Sequence, residues 1–580
     1  MSKFNLKKNN KVKILLLLIL LLAGIFRFYG LDWDQGQHLH PDERFLTMVL
    51  TSMKIPKSIG DYLNPKISTM NPYNVGYGFF VYGTFPLNLT KLIGVFTANN
   101  DYGTIHIVGR ILSAFFDLGT VYLVYLISKK LTNHQSPTTP LLAAFLYSIM
   151  VLPIQLSHFF AVDTFLNFFI VLSFYLLILL ISSYHNILIS TLLGAAFGLA
   201  LACKVSALYF SPIIGLGFLF YLLKSKNPKN FVLCSICFVL CTYGAFRLNQ
   251  PQAFTNKNFL DPHLNPQFIK NLQELRNQGD PNSTFPPAVQ WISTKPIIFP
   301  LKNLLCWGLG LPLGFTSLIS TFFFIIQLSN LVIVRKRKLL KILISQSPNI
   351  LGLIFVFGLF VYLGIQFGKT MRYFLLIYPF FALFSAHFLS EVSIILKKKL
   401  PGYYNFLLFT FYFLLLVYPL SFVNIYTKPV TRVTASEWIY QNIPPSSTLL
   451  EEEWDDGLPL PLPQRNSGIY KYKSVFMYDA DTPEKWQRIK PVIDSVDYII
   501  ITSNRAYGST MSLSKRYPKT IEYYQSLFTG SGDFNEVAKF TSYPCFPPGK
   551  YNLFCFDDDS SEEAFTVYDH PKVLIYKKVK

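Results

Sequence analysis

Acidic residues are scarce in this sequence: 32 Asp and Glu stand against 52 Lys and Arg, for a formal net charge of +20. An excess of that size can serve nucleic acid. Here much of the Lys and Arg falls in short clusters between apolar runs, so membrane topology accounts for it better and no nucleic-acid partner is expected. Cysteine is sparse as well, seven residues in all, without the spacing of a zinc site. Cys234, Cys237 and Cys241 lie in an apolar helical run and read as small packing residues. Cys545 and Cys555 fall in a polar C-terminal region. They either pair, if that region faces an oxidising compartment, or remain free thiols. Internal repeats and long low-complexity segments are absent, which excludes repeat and linker architectures.

What remains is apolar. Hydrophobic residues make up 51% of the chain and the mean hydropathy is positive, which fits a multi-span membrane protein and not a soluble one. Phe (55) and Tyr (35) are abundant, as interfacial belts require. Lys3, Lys7, Lys8, Lys11 and Lys13 precede an apolar run from Ile14 to Phe28. No small-residue cleavage site follows, so the run reads as an uncleaved first helix with a cytoplasmic N-terminus. Ten further runs follow, at roughly 104–127, 139–156, 164–183, 187–203, 205–223, 230–248, 303–334, 349–367, 373–394 and 403–425, for about eleven spans. That count puts Lys129–Lys130, Lys224/Lys226/Lys229, Arg335–Lys338 and Lys397–Lys399 on one side, as the positive-inside rule demands. The loops 31–103 and 249–302 then lie outside, together with everything after Thr427.

The fold class expected is therefore mainly α: a polytopic membrane domain over 1–427 and an extracytoplasmic soluble α/β domain over 428–580, in the plasma or inner membrane. Pro41–Ile55 suits a helix on the membrane surface. Phe79–Phe96, broken by Gly83 and Pro86, reads as an interfacial or re-entrant helix or as an additional span. In the tail, Thr434–Glu437 has the form of a capping box. Val496–Thr502 reads as a buried strand and Pro518–Phe528 as a helix.

The chemistry concentrates in Leu31–Thr47, LDWDQGQHLHPDERFLT, which leaves the first span with four acids, two histidines and an arginine. Topology brings other polar residues to the same outer level: Arg110, His158, Asp163, Lys204, Lys369 and Arg372. Each has a plain reading. The lysines and Arg372 suit snorkelling, Arg110 and His158 suit helix ends, Asp163 suits an N-cap, and Asp42–Glu43 suits the first turn after Pro41. Together they make a set that ordinary helix ends do not require. A carboxylate can take a proton from an acceptor hydroxyl, and cations can balance the phosphate charge on a leaving group. In a membrane that leaving group is lipid-linked, which describes sugar transfer from a polyprenyl phosphate.

The chain resembles the GT-C glycosyltransferases of the protein O-mannosyltransferase and aminoarabinose-transferase type, which use phospholipid-linked sugars. The matching pieces are HPDERF at 40–45, GRILSAFFDLG at 109–119, SHFFAVDTFLNFF at 157–169, GLALACKVSAL at 198–208 and GKTMRYFLLIYPFFAL at 368–383. The resemblance implies an inverting transfer with Asp42 as the base and Glu43 beside it. It also implies an acid at Asp163 and Lys204 and Arg372 facing the donor phosphate; the topology adds Arg110 and Lys369 to the phosphate-binding cations and His158 to Asp163 as supporting or metal candidates. The expected partners are a polyprenyl-phosphate sugar, a glycan, lipid or protein acceptor, and the bilayer. A divalent cation stays open, since the DxD at Asp32–Asp34 is a weak signal. The WWDYG signature of oligosaccharyltransferases is absent, which argues against asparagine-linked transfer. The rival reading is a transporter or flippase of lipid-linked sugars, which would place polar or helix-breaking residues near mid-membrane in several spans; a non-catalytic assembly scaffold is a third.

Overall fold

The apolar runs become long helices. The computed structural model describes residues 2–132, 137–182, 186–280, 285–334, 339–549 and 551–579. Among these residues, nine helices are long and apolar enough to cross a membrane, and a bent pair makes a tenth. The Ser2–Phe28 helix adds the apolar run that begins at Ile14. Each of the eleven runs read from the sequence is thus helical. The bend lies between Thr138–Ser148 and Val151–Ser157, at 59°. Pro153 explains it, because its ring clashes with the carbonyl four residues back, at Ile149, and it has no N–H to donate. Arg335–Lys338 lie outside the described residues.

Helix Asp163–Ser182 is buried on nearly every face and forms the centre of the bundle; Pro228–Asn249 is mostly exposed and forms its edge. That edge helix packs tightly on Asn186–Cys203. A Cβ on Gly194 would meet the Phe238 carbonyl at 2.4 Å and one on Gly198 the Thr242 carbonyl at 2.5 Å. The Gly-xxx-Gly face lets two backbones touch where lipid tails give no hydrophobic drive. At one end of the bundle the basic helix ends converge: Lys224 Nζ donates to the Ile181 carbonyl at 2.8 Å, and Lys130, Lys224, Lys226 and Lys341 line one cleft.

At the opposite end lie the long loops. Pro41–Ser52 is a helix, but its apolar side, with Leu46, Val49 and Leu50, is buried against protein. Phe85–Phe96 is a 12-residue helix, too short to span, so the reading of this stretch as an additional span is set aside.

After the 404–423 helix the chain changes character. Helix Thr431–Asn442 begins one turn before Thr434, with Val430 at its cap, so the expected capping box lies inside the helix. Strands β1 (Thr448–Glu452), β2 (Lys471–Val475), β3 (Tyr498–Ile501), β4 (Phe534–Phe540), β5 (Cys545–Phe546), β6 (Phe554–Cys555) and β7 (Val573–Lys578) follow. Five form a mixed sheet in the order β2-β1-β3-β7-β4. Alternation splits its faces. Ile499 and Ile501 pack under Tyr524 and Leu527 of the Pro518–Thr529 helix, whereas Tyr498 and Ile500 join the core that continues into the helical bundle. Strands β5 and β6 form a separate hairpin, closed by a Cys545–Cys555 disulfide.

Candidate active site

Three charged groups sit around the start of the long loop after the first helix, at different depths. In the deepest, Arg27 Nε donates to Asp117 at 2.6 Å, and both side chains are fully buried. The Tyr147 hydroxyl donates to the other Asp117 oxygen at 2.5 Å, and Asn167 donates to Tyr147 at 2.9 Å. Sequence reading missed this network, since neither Arg27 nor Asp117 stands in a charged cluster.

The second group is centred on Arg110. Its guanidinium donates to Glu43 Oε2 at 2.9 Å and Oε1 at 2.5 Å, and to Asp34 Oδ1 at 3.0 Å and Oδ2 at 2.9 Å. Trp33 covers it at 5.0 Å. Glu43 also accepts the Phe160 N–H at 2.7 Å. The GR pair at 109–110 explains how: a Cβ on Gly109 would meet the Phe160 ring at 2.2 Å, so only glycine lets that segment approach. The expectation that Glu43 works beside Asp42 and that Arg110 holds donor phosphate is corrected by this geometry. All three side chains of the Arg110–Asp34–Glu43 cluster are fully buried, and each is committed to the others.

The third group is the accessible one. Arg372 donates to Asp42 at 2.5 Å, their side chains 25% and 20% exposed. Lys204 donates to Asp163 at 2.8 Å, with 22% and 7% exposed. The Tyr373 ring lies 5.1 Å from Lys204 and 5.8 Å from the Arg372 guanidinium, which joins the two pairs. The structure therefore brings together four of the expected residues from segments far apart in the chain. Local structure sets each one. Pro41 starts its helix and His40 caps it, accepting the Glu43 N–H. Successive helix residues point about 100° apart, so Glu43 turns inward while Asp42 faces the opening. Asp163 begins its helix, where the dipole favours a carboxylate. Lys204 sits extended between two helical segments. Gly83 packs on that bend, its N–H donating to the Cys203 carbonyl at 2.9 Å, where a Cβ would meet the Ala202 carbonyl at 2.0 Å. This seats Tyr82 with its hydroxyl toward Asp42. Burial raises the Asp42 pKa, but Arg372, His40 and the hydrogen bonds outweigh it and hold the carboxyl below its usual range.

Two expected residues lie elsewhere. Lys369 Nζ donates to Thr294 Oγ1 at 2.9 Å and to the Phe367 carbonyl at 3.0 Å, so it fastens a loop. The ring nitrogens of His158 face the Ile154 and Tyr29 carbonyls at 2.8 and 2.9 Å, and the ring stacks on Tyr426 at 3.8 Å. No ring nitrogen is left for a metal, which corrects that expectation.

The C-terminal region reaches the same site. Glu562 accepts the Thr370 hydroxyl at 2.7 Å and the Met371 N–H at 2.8 Å, just before Arg372. Burial pushes its pKa up to about 7. Tyr568 packs on His40 at 4.3 Å. Arg44, two residues past Asp42, pairs with Asp456 at 2.5 Å. Residues 453–457 read EWDDG, so Trp454, Asp455 and Gly457 keep three positions of the WWDYG pattern. The run from Asp557 to Glu563 was visible in the sequence, but a short acidic run reads as solvated surface unless its partners are known.

Residues 88–248 match the family model described as dolichyl-phosphate-mannose-protein mannosyltransferase. No curated protein sequence matches the chain. Among solved structures, the archaeal oligosaccharyltransferase AglB from Archaeoglobus fulgidus, in complex with an inhibitory peptide and a dolichol-phosphate, is similar at TM-score 0.53 and 13% identity, over 99% of this chain and 89% of that one. The Archaeoglobus fulgidus oligosaccharyltransferase in its apo form is similar at TM-score 0.52 and 15% identity, over 89% and 73%. The same enzyme tethered to an acceptor peptide is similar at 0.52 and 13%, over 98% and 88%. At such identities the likeness is one of fold, and it extends through the C-terminal region. Residues 88–248 are thus similar to a mannosyltransferase family, and the chain shares the fold of these oligosaccharyltransferases.

Proposed function

We propose that the chain transfers a sugar from a polyprenyl phosphate to an acceptor hydroxyl at the outer face of the membrane, with inversion and with Asp42 as base. The observation that carries this reading is the contrast in exposure. Asp42, Arg372 and Lys204 are partly open, while the Arg110 cluster beside them is sealed. The matched family takes its name from a dolichyl-phosphate sugar donor, and one structure of like fold holds a dolichol-phosphate.

The resting ion pairs supply a sequence of events. A donor phosphate arriving between Arg372 and Lys204 competes with Asp42 and Asp163 for the two cations. Asp42 then loses the partner that holds its pKa low and becomes a stronger base when donor is in place. Arg372 and Lys204 meanwhile stabilise the charge left on the departing phosphate. Glu562 acts as a positioning residue, fixing the backbone just before Arg372. Trp454, 47% exposed near Arg44 and Asp456, offers an aromatic wall on the acceptor side. A transporter is disfavoured because the deep Arg27–Asp117 network is closed on itself and inaccessible. The deciding experiment incubates purified protein with a panel of polyprenyl-phosphate sugars and follows release of the lipid phosphate. No release with any donor, under conditions where donor binds, overturns the reading.

A further inference from the structure

We propose that Asp32, Asp34 and His106 form a site for one divalent transition-metal ion, apart from the sugar-transfer site. Their ligand atoms all lie within 4.8 Å of one another, so modest side-chain rotation would bring them to the roughly 2.0–2.2 Å from one ion that a bound metal needs. Acidic residues alone would not make a site, but His106 supplies an independent observation. It is 1% exposed, and neither ring nitrogen makes a well-formed hydrogen bond, the nearest partner being the Tyr102 backbone one turn back. Burying an imidazole without well-formed partners is unfavourable, and a metal bond removes the deficit. His38 adds to it: its ring lies 4.3 Å from that of His106, and its Nδ1 is also unpartnered.

Charge points the same way. Three carboxylates, Asp32, Asp34 and Glu43, surround the single guanidinium of Arg110, which pairs with two of them, so the cluster carries two uncompensated negative charges. A divalent cation cancels them. Lone pairs remain for it. The Gly36 N–H occupies one Asp32 oxygen at 3.1 Å, and Asp34 Oδ1 accepts only from Arg110, at 3.0 Å. Asp32 is exposed, so an entry path exists. Two carboxylates with an imidazole suit Zn²⁺ or Mn²⁺ better than Ca²⁺ or Cu⁺. Bound there, the ion ties the segment after the first span to the start of helix Ile105–Leu131. It braces Asp34 and, through Arg110, Glu43, without touching Asp42.

The test uses the full chain in detergent, stripped with EDTA and titrated with Zn²⁺ or Mn²⁺ alone, with metal content read by mass spectrometry. The expected result is one ion per chain in the wild type and equally in Asp42→Asn. Asp32→Asn, at an exposed position the fold tolerates, and His106→Gln each weaken binding by roughly tenfold or more. The inference is overturned if no ion binds, if both variants keep full affinity, or if binding is lost in Asp42→Asn and kept in Asp32→Asn.

Discussion

Adjacent acids with opposite fates give the sharpest test of the site. Glu43 is fully buried and accepts two bonds from Arg110 and one from the Phe160 N–H. Glu43→Gln keeps the shape but sets an amide donor against a guanidinium. Breaking a buried pair by removing one partner costs about 3–5 kcal/mol, and Asp34 still holds Arg110, so the expected loss is near the lower end. Asp42 and Arg372 are 20% and 25% exposed, so water reaches both and losing one costs less than at the sealed Arg110 cluster, nearer the roughly 0–1 kcal/mol of exposed pairs. Asp42→Asn should therefore leave the thermal unfolding midpoint in detergent close to wild type, yet lower turnover by about 10²-fold or more if the base is lost. Glu43→Gln should lower the midpoint clearly, and its turnover loss should track the fraction folded. The measurements are intrinsic-fluorescence melting and lipid-phosphate release on the same preparations. Normal turnover in Asp42→Asn would remove the base from this loop and make Asp163 the next candidate. A Glu43→Gln protein as stable as wild type would refute the buried-network argument.

Four further outcomes are expected. Lys204→Gln and Arg372→Gln should weaken donor binding without unfolding the protein; wild-type donor affinity in both would leave only interfacial anchoring. His570 is buried between Asp558 and Asp569, which raises its pKa from 6.5 to about 10 against the opposing effect of burial; its stabilisation should be complete below pH 6.5 and fade as pH rises toward 10, and melting in His570→Gln should lose that component of the pH dependence. Reduction of Cys545–Cys555, which closes a loop of sequence separation 10, should lower the midpoint by an amount equivalent to about 3 kcal/mol or somewhat less; two free thiols in protein from the native membrane would contradict the bridge. Cysteines at exposed Ser58 and Ser531 should react with impermeant reagent from outside and one at Ser225 only from inside, and labelling of position 531 from the cytoplasm would invert the orientation.

The helices were legible because apolar length is a one-dimensional signal, and Gly83 and Pro86 announced one break; the bend at Pro153, inside the run read as 139–156, was passed over. Asp163, Lys204 and Arg372 were singled out because each stands at a span end and topology brings span ends together, and Asp42 because of its acidic loop and the family resemblance. Burial was not legible. Nothing in HPDERF tells Asp42 from Glu43 until the helix phase is fixed against Arg110. Lys369 and His158 likewise stand at the right level, but their hydrogen bonds turn them to neighbouring backbone. Glu562 and Tyr568 lie more than 500 residues from Asp42 in sequence, and only the sheet's docking onto the bundle brings them back to it.

The Arg27–Asp117 pair bears on the order in which the protein is made. Its members are 90 residues apart, so the first helix enters the bilayer well before the carboxylate that neutralises it exists. A lone arginine or aspartate within a span is unfavourable by about 2.5–3.5 kcal/mol on insertion scales, and Arg27 near its helix end feels part of that. That penalty predicts that the first helix waits, tilted or at the edge of the insertion machinery, until Ile105–Leu131 arrives and the two leave as a pair. The loop between them, with Asp42 on it, is drawn into place at that moment, so the ion pair acts as a clasp timing the birth of the site. Exchanging the two residues, Arg27→Asp with Asp117→Arg, keeps the clasp and reverses which helix must wait.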